Sequence, residues 1–410
     1  MRILFVCHRF PFPPRRGGKI RPFHIIRHLQ KRHHVTVASL ARSNAEAAEG
    51  EGLADHCSRI LMDTVSPVAA LARMAVRLPT PTPSSMGYFY SPRLAQQIRQ
   101  ELEMVDYDLI FVHCAFVAPY VVGAEIPSVL DFGDMDSHKW LAYSKVRRFP
   151  LSLAYYIDGQ KLRRAEARLA ANFDLCTCTT RAELKTLESY DVGVPLGWFP
   201  NGVDSNYFTP TAAPYVPDSI TFSGRMDYYP NQECMIDFCH NILPLIRAKR
   251  PNVTFTIVGA TPPRAIRNLG RQPAVTVTGS VPDIRPYVAR SAVSVAPLKT
   301  ARGTQNKILE AMAMGIPTVI SPPAAMGVDA EPDHHFLMAS SPLEYANAVI
   351  RLLENPAERR RLAEAGRARI LSHHSWSDSL RTLDGLLEEC MARRSRPAVC
   401  GPGPRMRPRQ

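Results

Sequence analysis

Short, continuous apolar runs recur along this chain, separated by stretches in which apolar positions return every three to four residues. In the first half the runs are Arg2 to His8 (RILFVCH), His34 to Leu40 (HVTVASL), Asp108 to Cys114 (DLIFVHC), Ser128 to Phe132 (SVLDF) and Asp174 to Thr180 (DLCTCTT). In the second half they begin at Ser219 (SITFSG), Val253 (VTFTIVGA), Val275 (VTVTG), Ala292 (AVSVAP) and Pro317 (PTVIS). A strand that is apolar without alternation is buried on both faces, which indicates a parallel sheet covered by helices. The first connecting helix is predicted from about Pro22 to Gln30. Strands alternating with helices through both halves predict an α/β chain of two Rossmann-like, doubly wound domains facing across a cleft. The domains are expected over 1–198 and 199–372, with turn-rich Gly197 to Phe208 linking them. From Ser375 to Met391 apolar residues recur at helical spacing, so a final helix over 373–392 is expected to pack back on the first domain. Residues 393–410, dense in Arg and Pro, are expected to be a disordered basic tail.

Composition narrows the class of protein. At 410 residues the chain exceeds one ordinary core. Its 45% hydrophobic and 21% charged residues are those of a soluble globular protein. The net charge of +13 favours anionic partners: phosphates, nucleic acid or an acidic lipid surface. No nucleic-acid-reading motif accompanies the charge, which is spread through the chain and concentrated in the tail. No run approaches the ~18 apolar residues of a membrane-spanning helix, and the opening run is too short for a signal segment. The expected location is therefore the cytoplasm, with the inner face of the membrane as a further option. Val68 to Leu78, with Arg73 and Arg77 four apart, reads either as an ordinary surface helix or as one lying against an anionic membrane. The nine cysteines include no C-x-x-C pair, and Cys176 and Cys178 alternate along one run, so they are expected as buried thiols rather than metal ligands.

The most informative stretch is Ala301 to Ser321, ARGTQNKILEAMAMGIPTVIS. A small polar loop, Gly303 to Asn306, precedes a helix expected to start between Thr304 and Lys307 and to end at Met314, with Gly315 at its C′ position. In a strand–loop–helix unit the helix N-terminus points into the crevice at the strand ends, where free amides hold phosphate. Lys307 adds a charge there, and Glu310, about one turn on, suits the vicinal diol of a ribose. The alternative is a solvated Lys–Glu pair at i, i+3, worth ~0.2–0.5 kcal/mol. Spacing alone leaves both open.

Other candidates follow first-half strands. In RRGGKIR, Arg15 to Arg21, Gly17 and Gly18 let the backbone approach an anion, unless the loop is merely flexible. His113 ends its strand, where it either meets a sugar hydroxyl, transfers a proton or is a satisfied core histidine. Asp134 and Asp136 in DFGDMDSHKW form a D-x-D; binding of acceptor hydroxyls or service as a base, by Asp134, is expected in preference to a metal site. Ser137, Lys139 and Trp140 are expected on the acceptor side or at a helix start.

NKILEAMAMGIPTVIS resembles the donor-site helix of the retaining glycosyltransferases of GT-B fold, family 4. FPNGVD (Phe199 to Asp204) resembles that family's interdomain segment, and FSGRMDYYPN (Phe222 to Asn231) its first donor-domain strand and loop. VTVTGSVPDIRPYVARSAVSVAP, which contains Val281, resembles the stretch that frames the base. RFPFPPRRGGKIR, GYFYSP and DMDSHKW resemble one subgroup, sugar transferases of bacterial exopolysaccharide and PEP-CTERM systems.

The resemblance implies a hexosyltransferase that moves sugar, with retention, from a nucleotide diphosphate sugar to a glycan or lipid-linked acceptor. A UDP-sugar is the expected donor, as co-substrate, with no separate cofactor and no metal. Glu310 would hold the ribose. Arg225 and Lys307 would neutralise the diphosphate, aided by Gly17, Gly18, Thr304 and Asn306, with Val281 near the base. His113, Asp134, Arg225 and Lys307 are the catalytic candidates, and the first domain would face the acceptor. Two departures stand out: Arg302 occupies the place of a Glu that contacts donor-sugar hydroxyls, which suggests an unusually basic pocket, and Pro230 replaces a Lys beyond Arg225. A nucleotide-sugar epimerase of the same fold and a nucleic-acid or anion binder are the competing functions.

Overall fold

The computed structural model describes residues 1–212 and 214–395. The apolar runs form two all-parallel sheets. The first contains β1 (Arg2–Cys7), β2 (His34–Ala41), β3 (Arg59–Thr64), β4 (Leu109–His113), β5 (Ser128–Asp131), β6 (Leu175–Cys178) and β7 (Leu196–Trp198), in spatial order β3-β2-β1-β4-β5-β6-β7. The second contains β8 (Val216–Ser223), β9 (Thr254–Val258), β10 (Val275–Val277), β11 (Ser291–Ala296), β12 (Thr318–Ile320) and β13 (Leu337–Met338), in order β10-β9-β8-β11-β12-β13. Every residue of β4, β5, β6, β11 and β12 is buried, as expected for strands covered on both faces. Strand order reverses between β1 and β4 and again between β8 and β11. Open α/β sheets form ligand crevices at such switch points, beyond the strand carboxyl ends.

β3, β7 and β13 extend the expected sheets at their edges. Gly197 and Trp198 consequently end a strand, and the linker starts only after them. The first connecting helix begins earlier than its apolar spacing indicated: it spans Gly17–Leu29, so Gly17 and Gly18 form its first turn.

The chain crosses between sheets twice, near 199–204 and 374–376, and the crossings are tied together. Val203 N–H donates to the His374 carbonyl at 2.8 Å, and His374 Nδ1 lies 3.0 Å from the Asn201 carbonyl. Gly202 is required by close approach: an added Cβ would lie 2.5 Å from Trp376 N. After the second crossing the helix Trp376–Ser395 buries Leu380, Leu383 and Leu387 in the same cluster as Ile3, Phe5 and Ile26 of the first sheet and its first helix. His28 on that first helix meets Asp384 at 2.8 Å. The helix carries through to Ser395, so the start of the expected disordered tail is helical; 396–410 lie outside the described residues. Cys7, Cys57, Cys114, Cys176, Cys178, Cys234 and Cys239 are buried and unbridged. No helix among the described residues is long and apolar enough to cross a membrane.

Candidate active site

The β8–β11 seam brings together most of the second-domain candidates. Gly224 and Arg225 follow β8, and the loop after β11 leads into the helix Asn306–Ala313. The backbones after β8 and β9 approach too closely for side chains, since a Cβ on Gly259 would lie 1.7 Å from the Gly224 carbonyl oxygen. Lys307 does not form an ion pair with Glu310. Its Nζ donates to Asn231 Oδ1 at 2.7 Å and sits 4.7 Å from the Phe222 ring centroid. Asn231 in turn donates to the Arg225 carbonyl at 2.8 Å, so one amide fixes both the lysine and the β8 loop.

Burial dominates the titration of this pair. It lowers Lys307 to about 8, with the charges of Cys234 and Glu310 opposing the shift. It raises Glu310 to about 7, against the pull of Lys307. Thr304 Oγ1 and Asn306 Oδ1 are buried without a hydrogen-bond partner at the start of the same helix. Buried polar atoms of this kind call for a ligand or water. Arg225 is held by Asp227, at 3.0 and 2.6 Å, and reaches Thr261 Oγ1 at 3.3 Å. Val281 stands apart, half-buried beyond β10, an edge strand separated from β8 by β9.

On the first-domain side, His113 closes β4 beside Cys7 of β1. Its Nδ1 lies 2.7 Å from Asp131 Oδ2 at the end of β5. Asp131 is fully buried yet strongly held as the carboxylate, because Arg21 and His113 outweigh the desolvation. Arg21 forks onto it at 2.8 and 2.9 Å, and Thr177 Oγ1 donates at 2.9 Å. The ionised acceptor favours the His113 tautomer with its proton on Nδ1, which leaves Nε2 as the acceptor nitrogen of the ring. Arg21 also donates to the Phe199 carbonyl and Asn201 Oδ1, and its guanidinium stacks 3.6 Å from the Phe199 ring centroid. The segment FPNGVD is thus anchored to the core of the first domain by a helix residue. Gly17 has open space around its Cα, whereas a Cβ on Gly18 would touch the Arg9 side chain at 3.2 Å. Asp134 accepts from Thr179 Oγ1 at 3.0 Å; burial first, and then Asp136, raises its pKa. Asp136 turns away to Lys139 at 3.6 Å, so the D-x-D carboxylates take different partners.

The two sides touch. Gly303 has φ +60°, and a Cβ there would lie 1.8 Å from Asp134 Oδ1. Arg302 Nη1 reaches Glu183 Oε1 at 3.4 Å, and Arg302 Nη2 lies 3.4 Å from His138 Nδ1. The expectation of an unusually basic pocket is therefore corrected: the charge of Arg302 is balanced by a carboxylate from the opposite domain. Tyr143 and Tyr228 share a hydroxyl hydrogen bond of 3.1 Å, and Arg147 stacks 3.6 Å from the Tyr229 ring centroid.

Sequence reasoning missed Arg21, Asp131, Glu183 and Asn231. Asp131 was available as the last residue of SVLD, at a strand carboxyl end like His113. Glu183 sits at N3 of a helix capped by Thr180, so it read as an ordinary helix-start residue, and only tertiary contact gives it another use. Arg9 was also missed; burial and the nearby Arg42 lower its pKa, and it lies beside Gly18.

Comparison with known proteins fits this geometry. Residues 16–207 match the family described as Glycosyltransferase Family 4, and residues 217–355 match Glycosyl transferases group 1. Among solved structures, sucrose-phosphate synthase of Thermosynechococcus elongatus superposes with a TM-score of 0.73 at 17% identity, over 96% of this chain and 100% of that one. HepE of Anabaena, solved in complex with UDP, gives 0.68 at 17% identity over 95% and 100%. Its complex with UDP-glucose gives 0.67 at 18% identity, also over 95% and 100%. No curated protein matches the chain. The fold is that of the two-domain GT-B glycosyltransferases. The chain carries a family 4 domain followed by a group 1 domain, and it is a glycosyltransferase.

Proposed function

We propose that the enzyme transfers a hexosyl group from a UDP-sugar to a hydroxyl of a glycan or lipid-linked acceptor, with retention, in exopolysaccharide synthesis. The observation that carries the donor reading is the set of groups at the head of the helix Asn306–Ala313. Lys307 is half-buried and turned to Asn231 rather than to Glu310, while the buried Thr304 Oγ1 and Asn306 Oδ1 lack hydrogen-bond partners. The helix N-terminus and Lys307 suit a diphosphate, and the raised carboxyl of Glu310 suits a ribose diol. HepE binds UDP and UDP-glucose on the same fold, which supports this choice of nucleotide.

In the reaction the anomeric C–O bond to the diphosphate breaks, a bond forms from C1 to the acceptor oxygen, and the acceptor hydroxyl passes its proton to the Asp134 carboxylate. Negative charge grows on the leaving diphosphate. Lys307 and the open amides before the first intrahelical bonds meet it, with Gly17 and Gly18 approaching from the opposite domain. Arg225 joins them on exchanging Asp227 for phosphate. Removing one such donor group costs ~10²–10³ in rate. His113 Nε2, oriented by Asp131, takes a sugar hydroxyl, and Asp134 takes the acceptor hydroxyl. The cationic groups meet the phosphate charge in this scheme, so it includes no metal and no further cofactor.

The test is turnover of UDP-sugars by Lys307→Ala and Glu310→Ala, measured as UDP release and as glycosylated product. Both variants should lose at least ~10² in kcat/KM. Normal turnover in both would overturn the assignment.

A further inference from the structure

Two helices of the first domain leave large apolar side chains in solvent, and they abut. On the helix Pro67–Arg77 only Ala70 is buried. Val68 is 78% exposed and Val76 72%, with Leu71 and Leu78 also exposed. The helix Asp136–Val146 ends in a turn that carries Phe149, 79% exposed, and the returning helix Leu151–Ala170 exposes Leu151, Leu153, Tyr156 and Ile157. Leu153, Ile157 and Lys161 lie four residues apart, on one stripe of that helix. Lys161 Nζ donates to the Leu78 carbonyl at 2.7 Å and lies 3.4 Å from that of Arg77, so the stripe runs into the end of the first helix. Asp158 joins the same contact by accepting from the amides of Ser84 and Ser85.

Cations predominate around this surface; its carboxylate, Asp158, is turned to the amides of Ser84 and Ser85. From Ser66 to Ser91 there is no Asp or Glu, but there are Arg73 and Arg77. Between Asp136 and Asp158 there is no carboxylate, and Lys145 and Arg148 flank the turn, while Lys139 pairs with Asp136 at the other end of the helix and Arg147 stacks on Tyr229. A face of exposed apolar side chains interleaved mainly with cations, its one carboxylate engaged by backbone amides, matches the interfacial region of an anionic bilayer, where rings and aliphatic groups enter the acyl boundary and cations meet headgroups. A second copy of the same face would instead bring like charges together.

We infer that the helix Pro67–Arg77 and the turn around Phe149 form a single docking surface for an anionic phospholipid membrane. The placement has a consequence for the reaction. The helix Asp136–Val146 begins beside the cleft, where His138 meets Arg302, and ends at the apolar turn. Its 11 residues span about 16 Å at 1.5 Å per residue. A membrane held at the turn therefore lies within reach of the cleft mouth. This consequence rests on the lipid-linked acceptor reading; the docking surface itself does not.

The experiment is co-sedimentation of the full chain with vesicles of phosphatidylglycerol and phosphatidylcholine, compared with phosphatidylcholine alone. Two exposed-site double variants are compared with the parent: Phe149→Asp with Leu153→Asp, and Leu71→Asp with Val76→Asp. The parent should partition to the anionic vesicles, less so at high salt, and each variant should lose at least about tenfold in partitioning while keeping its melting temperature. Three results would overturn the inference: no binding by the parent, equal binding to neutral vesicles, or undiminished binding by both variants, which would assign the adsorption to the basic tail. A dimer seen by light scattering that the same substitutions dissolve would also overturn it, in favour of self-association. UDP release without acceptor, measured separately, should be unchanged in both variants; its loss in the parent would speak against the donor site and not against the docking surface.

Discussion

Glu183 and Arg302 meet across the interdomain cleft at 3.4 Å, one on the helix after β6 and the other in the loop after β11. The carboxylate is almost fully buried and also accepts from the Met135 amide at 2.9 Å, while Arg302 keeps about a quarter of its surface in water. Burial, and then the neighbouring Asp134, push Glu183 up to about 7, so the pair forms against a desolvation cost that Arg302 partly offsets. The arginine that departs from the family pattern thus has a local counter-charge, and the loop that leads to Thr304, Asn306 and Lys307 is tied to the opposite domain.

If this pair sets the position of the loop, Arg302→Gln and Glu183→Gln should each raise the donor KM. The double variant should be little worse than either single one, because groups in contact couple by ~0.5–3 kcal/mol. Steady-state kinetics on the four proteins decides this. Strictly additive losses would mean that the two residues act separately.

The titrations of Lys307 and Glu310 give a narrow working range. In the proposed donor site, phosphate would call for Lys307 protonated, below about 8, and ribose for Glu310 ionised, above about 7. A profile of kcat/KM against pH, which reports the free enzyme, should be a bell with limbs near these values. Stability should move the other way. The raised pKa of Glu310 gives stability that is present below its ordinary range and lost as pH climbs through about 7. The lowered pKa of Lys307 gives stability that is present above its ordinary range and lost as pH drops through about 8. The empty site is least stable where both groups are charged. The rise in melting temperature on adding UDP should therefore be largest between those limits, and a flat response across pH 5–10 would refute the linkage.

Gly303→Ala places a methyl group against Asp134 in a left-handed backbone conformation. The two domains must part there or the loop must refold. Small-angle scattering should show a larger radius of gyration, together with a fall in kcat. An unchanged profile with full activity would mean that the contact with Asp134 is not needed for closure.

Asp131→Asn leaves the buried Arg21 without its counter-ion and His113 without the anion that fixes its tautomer. Removing one partner of a buried pair costs about 3–5 kcal/mol, so denaturant unfolding should show a loss of that order. If the ring's free nitrogen takes part in the reaction as proposed, His113→Gln should cost much less stability but lower kcat. Equal losses of stability in both variants would make His113 a core residue only.

The sheets were legible because continuous apolar runs such as LIFVH and AVSVAP have no exposed face to alternate toward. β13, at two residues, is too short to show periodicity, and β3 (RILMDT) ends in polar residues on an edge. Lys307 and Glu310 were legible from a strand–loop–helix unit with polar residues at the helix head. Arg21, Asp131 and Glu183 were not, because each reads locally as a helix or strand-end residue.

By itself the sequence determined what acts over a few residues: which segments are strands, where the helix Asn306–Ala313 starts and stops, and which side chains stand at its head. Local periodicity and capping fix these because backbone hydrogen bonding in a helix or strand depends on near neighbours. Tertiary structure decided what depends on distant approach: that Arg302 faces Glu183 and not a solvated pocket, that Gly303 is small because Asp134 is opposite, and that Lys307 turns to Asn231 and not to Glu310. Electrostatic balance and close packing belong to whatever meets across the cleft, and residues 119 positions apart in sequence leave no local trace of meeting.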